Sequence, residues 1–397
     1  MPRQETIQGP QQIKPLFCKE KGYTEVKKTN NSTTMNIDRA EKLKGEAVFV
    51  DAHNHIMIEL AYRRNHGERA VFKNFLAPHI KRGGVDVVMM VVGGDSRNFI
   101  EGTDLMLWGT LRAVEMLLQD IEESADVVAL CRTVAEIEAA GKEGKLAVLM
   151  TLEGGRPLEG RPNYDSLEPL QILYRLGLRQ MQLVDLGRNR LADGTYTARA
   201  DSKLTPFGIE VVRECNRLGV IVDVAHLPDR GFYDLLEHSS DPVIDTHSNA
   251  KAVSGAVRNL TDERIDAMAQ QGGIIGISFF DALVNKEAVD RGDRPVLDDI
   301  VRHVDYLVER AGIDYVGFGP DHCEFPSIID HGWCPVIGFH EGVHVGVRES
   351  YSTPEVDSVE KLPKLTAALI DRGYSDEQIK KLLGENFLRV YRQILGG

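Results

Sequence analysis

The chain has 397 residues, 42% of them hydrophobic and 27% charged, with a formal net charge of −13. That length and apolar content support a sizeable core, and the acidic balance argues against nucleic acid or an anionic membrane surface as the main partner. Five scattered cysteines (Cys18, Cys131, Cys215, Cys323, Cys334) without a CxxC pair read as reduced thiols rather than a disulfide framework.

The first 35 residues are polar and lack the apolar stretch and small-residue cleavage site of a secretory signal. We read residues 1–40 as a loosely ordered extension, with Met35 a conceivable alternative start, and 41–397 as one folded domain in the cytoplasm. No uninterrupted apolar run approaches the roughly 18 residues of a membrane span.

From there short apolar runs recur. "AVFVDAH" ends at His53, "VDVVMMVV" at Val92, "KLAVLMTLE" at Glu153 and "RQMQLVD" at Asp185. They are followed by "VIVDVAH" to His226, "PVIDTH" to His247, "GIIGISFF" to Phe280 and "VGFGPD" to Asp321. These eight strand candidates are rich in Val, Ile and Met and do not strictly alternate, as expected of parallel strands buried on both faces. Between them lie helical patterns that open on Ser or Thr and close on Gly: "SLEPLQILYRLG" (166–177), "TPFGIEVVRECNRLG" (205–219) and "TDERIDAMAQQGG" (261–273). "DDIVRHVDYLVERAG" (298–312) and "SDEQIKKLLGENFLRVYRQIL" (375–395) read as helices too.

Eight strands alternating with helices predict an α/β fold, a closed (β/α)8 TIM barrel. The rival, a doubly wound open sheet, should carry a glycine fingerprint after its first strand, and "VVGGD" at 91–95 is too short for one. Extra length falls after the first strand (56–82) and after the last (322–356, with His331, Trp333, His340 and His344). Long loops on that face of a barrel usually build or cover its site.

Position is the informative signal. Six of the eight runs end in a group that can bind a metal or move a proton: His53 with His55, Glu153, Asp185, His226, His247 and Asp321. The C-terminal strand ends of a barrel converge on one mouth, so these residues become neighbours. His53 and His55, two apart on a strand, share a face. Imidazoles and carboxylates together suit zinc and related divalent ions. Taken singly, each has a plainer reading: a hydrogen-bonded core histidine, a carboxylate capping a helix, an Asp321 paired with an arginine.

"VDAHNH", "TLEGG", "YRLGLRQMQL", "GVIVDVAHL", "PVIDTHSNAKAV", "RNLTDERI", "GFGPDH" and "LLGENFLRVY", in this order over residues 47 to 395, resemble the membrane (renal) dipeptidase family of the amidohydrolase superfamily. The resemblance implies a zinc-dependent hydrolase, homodimeric as family members commonly are, with one or two divalent ions per chain, two being expected. It implies that His53 binds one ion, Glu153 bridges both, and His226 and His247 bind the second. Asp321 exchanges the proton of a water made acidic by the metals, and the planar fork of Arg258 holds a substrate carboxylate; a surface pairing of Arg258 with Asp262 or Glu263 is the plainer alternative.

Two positions depart from the family pattern. His-x-Asp after the first strand is here His53-x-His55, which raises the charge of a metal cluster by one. The histidine that ends the family's fourth strand is here Asp185, and an ionised carboxylate cannot donate a hydrogen bond to a developing oxyanion. Asp185 is left as a substrate-amine contact or an acid/base group, with Arg188 and Arg190 placed to pair with it or to meet an acidic substrate. Cys323 is an alternative ligand or nucleophile, in a region not patterned like a cysteine hydrolase.

The expected site is therefore His53, His55, Glu153, His226, His247 and Asp321 on metal, Asp321 and Asp185 in proton transfer, and Arg258, Asp185 and Arg188 on substrate. The expected reaction is hydrolysis of a C–N amide bond in a small carboxylate-bearing molecule. The alternatives are a non-hydrolytic step on the same metal barrel and a non-catalytic binding barrel.

Overall fold

In a computed structural model that describes residues 30–95, 106–160, 165–322 and 351–396, all eight apolar runs contain strands. In chain order these are β1 (Val50–Asn54), β2 (Val87–Gly94), a short β3 (Val128–Leu130), β4 (Leu146–Glu153), β5 (Leu178–Gln182), β6 (Ile221–Asp223), β7 (Ile244–Asp245), β8 (Ile274–Ile277) and β9 (Val316–Phe318). Every pairing is parallel, in the order β1-β2-β4-β5-β6-β7-β8-β9, with β3 attached to β4 off that path. The ring is completed between its two ends by a single bridge, Asn54 to His322, and by the Asp321 amide donating to the His53 carbonyl at 3.2 Å. This is the nearly closed eight-stranded TIM barrel that the alternation of elements predicts.

The strands are shorter than the apolar runs. β5 stops at Gln182, β6 at Asp223 and β9 at Phe318, so Asp185, His226 and Asp321 stand on the loops just beyond the strand ends. β3 went unread because three residues carry no periodicity to recognise.

Alternate strand residues divide between two apolar clusters. Val50, Ala52, Val87, Met89, Ala147, Leu149, Ile221, Ile244 and Ile274 pack with Phe387 and Tyr391 of the C-terminal helix, while strand residues such as Val88, Met90, Val148, Met150, Ile275 and Phe318 join the larger cluster formed with the surrounding helices. Those helices start where their caps place them: Thr205 accepts from the Gly208 amide at 3.0 Å, and Gly219 ends that helix at φ 73°.

A helix over Asn30–Glu46 runs across residue 40, where the sequence reading set the edge of the domain. Ala40 and Leu43 are buried, Arg39 pairs with Asp376, and Lys44 Nζ donates to the Arg82 carbonyl at 2.9 Å. These contacts make it part of the barrel's outer layer. The insertion after β1 folds into helices and is tied down by buried Asp120, which accepts from the Val71 and Phe72 amides and from Arg64 Nη1 at 2.7–2.9 Å. Most of the 322–356 loop, with Cys323, His331, Trp333, His340 and His344, lies outside the described residues.

Candidate metal centre

His53, on β1, and His55, just past its end, come to one side, as their spacing suggests. Their Nε2 atoms are 3.2 Å apart. From the opposite side of the mouth, His226 and His247 bring their Nε2 atoms to 3.0 Å of each other. The Glu153 carboxylate lies between the pairs. Its Oε1 is 3.2 Å from His226, 3.5 Å from His53 and 3.7 Å from His247, and its Oε2 is 3.7 Å from His55. Asp321 completes the ring, with Oδ1 3.1 Å from His55 Nε2 and 3.9 Å from His53 Nε2.

All five of His53, His55, Glu153, His226 and His247 are buried. Two backbone conformations are unusual: His226 has φ 69° and Asp321 has φ 59°, in the left-handed region that side chains with a Cβ rarely adopt. Such conformations cost on the order of 1–3 kcal/mol and persist where surrounding structure enforces them, commonly at functional sites.

The donor set fits divalent metal. Ligands of a tetrahedral ion at about 2.0–2.2 Å bonds stand a little over 3 Å apart, close to the spacing of these Nε2 pairs. Ligand atoms of His53, His55 and Glu153 fall within 4.8 Å of one another, and those of Glu153, His226 and His247 do likewise. Burial, with the nearby charge of Arg258, pushes His226 down to about 4; burial, His53 and Arg258 push His247 well below its usual range. Both rings are neutral at pH 7, as metal ligation demands. For Glu153 and Asp321 burial acts in the opposite sense, but the surrounding histidines outweigh it and hold both carboxyls below their ordinary values.

A second layer supports the ligands, and the sequence reading missed it. Thr246 Oγ1 is 2.7 Å from His247 Nδ1 and 2.5 Å from Asp223 Oδ2, so the hydroxyl accepts from the imidazole while donating to the carboxylate. Gln182 Nε2 donates to the same carboxylate at 2.9 Å and lies 3.3 Å from His53 Nδ1. Asp95, at the end of β2, accepts from the Arg156 and Asp185 amides and from Asn189 Nδ2, at 2.8–3.2 Å. The available signal was polar residues set inside apolar runs: Asp223 in "VIVDVAH", Thr246 in "PVIDTH", Gln182 in "RQMQLVD".

The remaining expected residues fall as follows. Asp185 is buried, and its Oδ1 is 3.5 Å from Nδ1 of His226, the ring nitrogen that faces away from Glu153 and His247. Arg258 is 7% exposed and its Nη2 donates to the His247 carbonyl at 2.6 Å, so the surface pairing with Asp262 or Glu263 does not describe it. The two arginines expected beside Asp185 have carboxylate partners of their own among the described residues. Arg188 holds Asp193 and Arg190 holds Asp165.

A sequence family profile described as membrane dipeptidase (peptidase family M19) matches residues 37–333 and 327–395. The chain is 31% identical over 286 residues to dipeptidase tcpJ of Claviceps purpurea (strain 20.1), covering 72% of this chain and 60% of that protein. It thus spans well under two thirds of that fungal relative. It is also 30% identical over 294 residues to an uncharacterized protein in the pqqA 5' region of Klebsiella pneumoniae, covering 73% of this chain and 96% of that one. Among solved structures, dipeptidase AC, a metallopeptidase of family M19, superposes with a TM-score of 0.72 at 25% identity over 88% of this chain and 99% of its own. A metallopeptidase from Rhodobacter sphaeroides, bound to a phosphinate mimic of the dipeptide L-Ala-D-Ala, matches with the same TM-score at 24% identity, over 88% and 99%.

Proposed function

The chain belongs to the membrane dipeptidase family, peptidase family M19, and from that premise we propose that it is a zinc-dependent hydrolase of the C–N amide bond in a small, carboxylate-bearing, dipeptide-like molecule. The observation that carries the reading is the convergence of four imidazole Nε2 atoms on the single carboxylate of Glu153. His53 and His55 would hold one ion and His226 and His247 the other, with Glu153 shared and Asp321 beside the first. Bound there, the ions supply Lewis acidity: they make water acidic and polarise a carbonyl.

The chain's own groups do the rest. Asp321 Oδ1, facing His55 and His53, takes a proton from the attacking water and returns it to the leaving nitrogen. Its depressed pKa keeps it ionised, and so able to accept, at neutral pH. Arg258, whose Nη2 donates to the His247 carbonyl, binds the substrate carboxylate through charge-assisted hydrogen bonds. Asp185 is an acceptor only when ionised and leaves carbonyl polarisation to the metal side of the site.

On the same reading the enzyme is a cytoplasmic homodimer. The buried free thiols of Cys131 and Cys215 suit a reducing compartment, and no helix among the described residues is long and apolar enough to cross a membrane.

The test is metal content per chain of protein purified without added metal, beside the His55→Asp variant, with product formed from a dipeptide and N-acyl amino acid panel in ¹⁸O-labelled water. About two zinc ions per wild-type chain and one ¹⁸O in the carboxylate product are expected. Fewer than one ion would sink the metal reading. Turnover without ¹⁸O would replace hydrolysis by a non-hydrolytic step on the same barrel.

A further inference from the structure

His226 combines three features that bear on how its ring is held. Its backbone is left-handed, at φ 69°, and β6 has already ended at Asp223, so no strand ladder sets the direction of its ring. The ring is buried, and Nδ1 makes no hydrogen bond of ordinary geometry. A buried N–H without an acceptor costs roughly 1–3 kcal/mol. An imidazole free to swap tautomers would in one of them turn a proton toward Glu153 and His247 instead of a lone pair.

The carboxylate at hand is Asp185, with Oδ1 3.5 Å from Nδ1. Asp185 is itself held from behind: its amide donates to Asp95 Oδ2 at 3.2 Å, and Asp95 is fixed by the Arg156 amide and Asn189. The chain of contacts runs Asp95, Asp185, His226, Glu153, from the ends of four different strands. His247 has an equivalent support of other chemistry, the Thr246 hydroxyl backed by Asp223. Each histidine of the second pair thus has a carboxylate on its far side, one directly and one through a hydroxyl.

We propose that Asp185 is the positioning residue of His226: its carboxylate accepts the Nδ1–H and fixes the tautomer and ring direction that present the Nε2 lone pair to the second metal position. The residue expected from the sequence to touch substrate acts instead through a ligand. The inference rests on the metal-centre reading above.

The experiment compares wild-type, Asp185→Ala and Asp185→Asn full-length proteins by competition for zinc against a chromophoric chelator. It is combined with ¹⁵N spectra of protein labelled at histidine, the His226 signals being assigned by their absence in His226→Gln. In wild-type protein loaded with zinc, His226 should show a protonated Nδ1. Asp185→Ala should weaken one of the two zinc affinities about 10–100-fold, with the Nδ1 signal shifted or lost. Asp185→Asn, whose amide oxygen still accepts, should recover most of that affinity. Both affinities within twofold of wild type in Asp185→Ala, with the His226 signal unmoved, would overturn the inference. So would Asp185→Asn and Asp185→Ala equally weak with the signal unmoved, since that pattern marks general damage to the fold. Should Asp185→Ala fail to fold, Asp185→Asn and the wild-type tautomer decide alone: a wild-type His226 protonated at Nε2 overturns it. Wild-type protein that takes up no zinc would instead overturn the metal centre itself.

Discussion

At the scale of single residues, the candidate metal ligands were legible because a histidine or glutamate at the end of an apolar run is conspicuous, and barrel topology says where such ends meet. Their supports were not. Gln182, Asp223 and Thr246 sit inside runs where one polar residue among several apolar ones reads as noise, and only the folded ring shows them facing His53 and His247. Arg258 is the residue whose placement makes the sharpest kinetic statement. A lysine there keeps the charge and loses the fork. Arg258→Lys should raise KM about 10–100-fold for a substrate with a free carboxylate and leave KM for the corresponding carboxamide nearly unchanged, with zinc content intact. Equal losses on both substrates would assign Arg258 to holding the His247 carbonyl and nothing more.

At the scale of elements, strand existence was readable and strand length was not, because an apolar run continues past the last ladder hydrogen bond into the buried loop that carries the functional residue. The helix over Asn30–Glu46 was missed for the opposite reason. Its apolar positions, Ile37, Ala40 and Leu43, have helical spacing but are diluted by polar neighbours, and Ile37 is left half exposed. The strand ends also approach one another too closely for side chains. Gly94, at φ 153°, would carry a Cβ 1.9 Å from the carbonyl oxygen of Glu153. Gly94→Ala should therefore push the end of β2 off β4, cost about 3 kcal/mol or more in urea unfolding, and lower zinc occupancy in the same variant. A stability within about 0.5 kcal/mol of wild type would show that the two strand ends can part without consequence.

At the scale of the whole molecule, one buried histidine outside the candidate metal centre sets part of the acid limit. His303, in the helix Leu297–Ala311, accepts from the Ala250 amide at 3.2 Å through Nδ1 and donates to the Val284 carbonyl at 2.9 Å through Nε2. Burial pushes its pKa down from 6.5 to about 4. The folded state thus binds the proton more weakly than the unfolded chain, so the neutral ring's contribution is whole above pH 6.5 and is lost as pH falls toward 4. The size is on the order of 3 kcal/mol, at about 1.4 kcal/mol per pKa unit. His303→Gln should be less stable than wild type at pH 7.5 but lose less on acidification, so the two unfolding curves converge near pH 4. Parallel curves across that window would remove His303 from the account.

The barrel's seam has a temporal meaning as well as a spatial one. Among the described residues, β1 and the segment just past β9 meet through one bridge and one amide–carbonyl bond, and His53, His55 and Asp321 stand on the two sides of that join. During synthesis the first two groups leave the ribosome long before the third. A chain cut before the last strand lacks Asp321, the residue proposed as proton acceptor, and also Phe387 and Tyr391, which pack against β1, β2 and β4. On the proposed reading, a fragment ending before β9 is expected to be inert, and the chemistry belongs only to a chain that extends past the last strand.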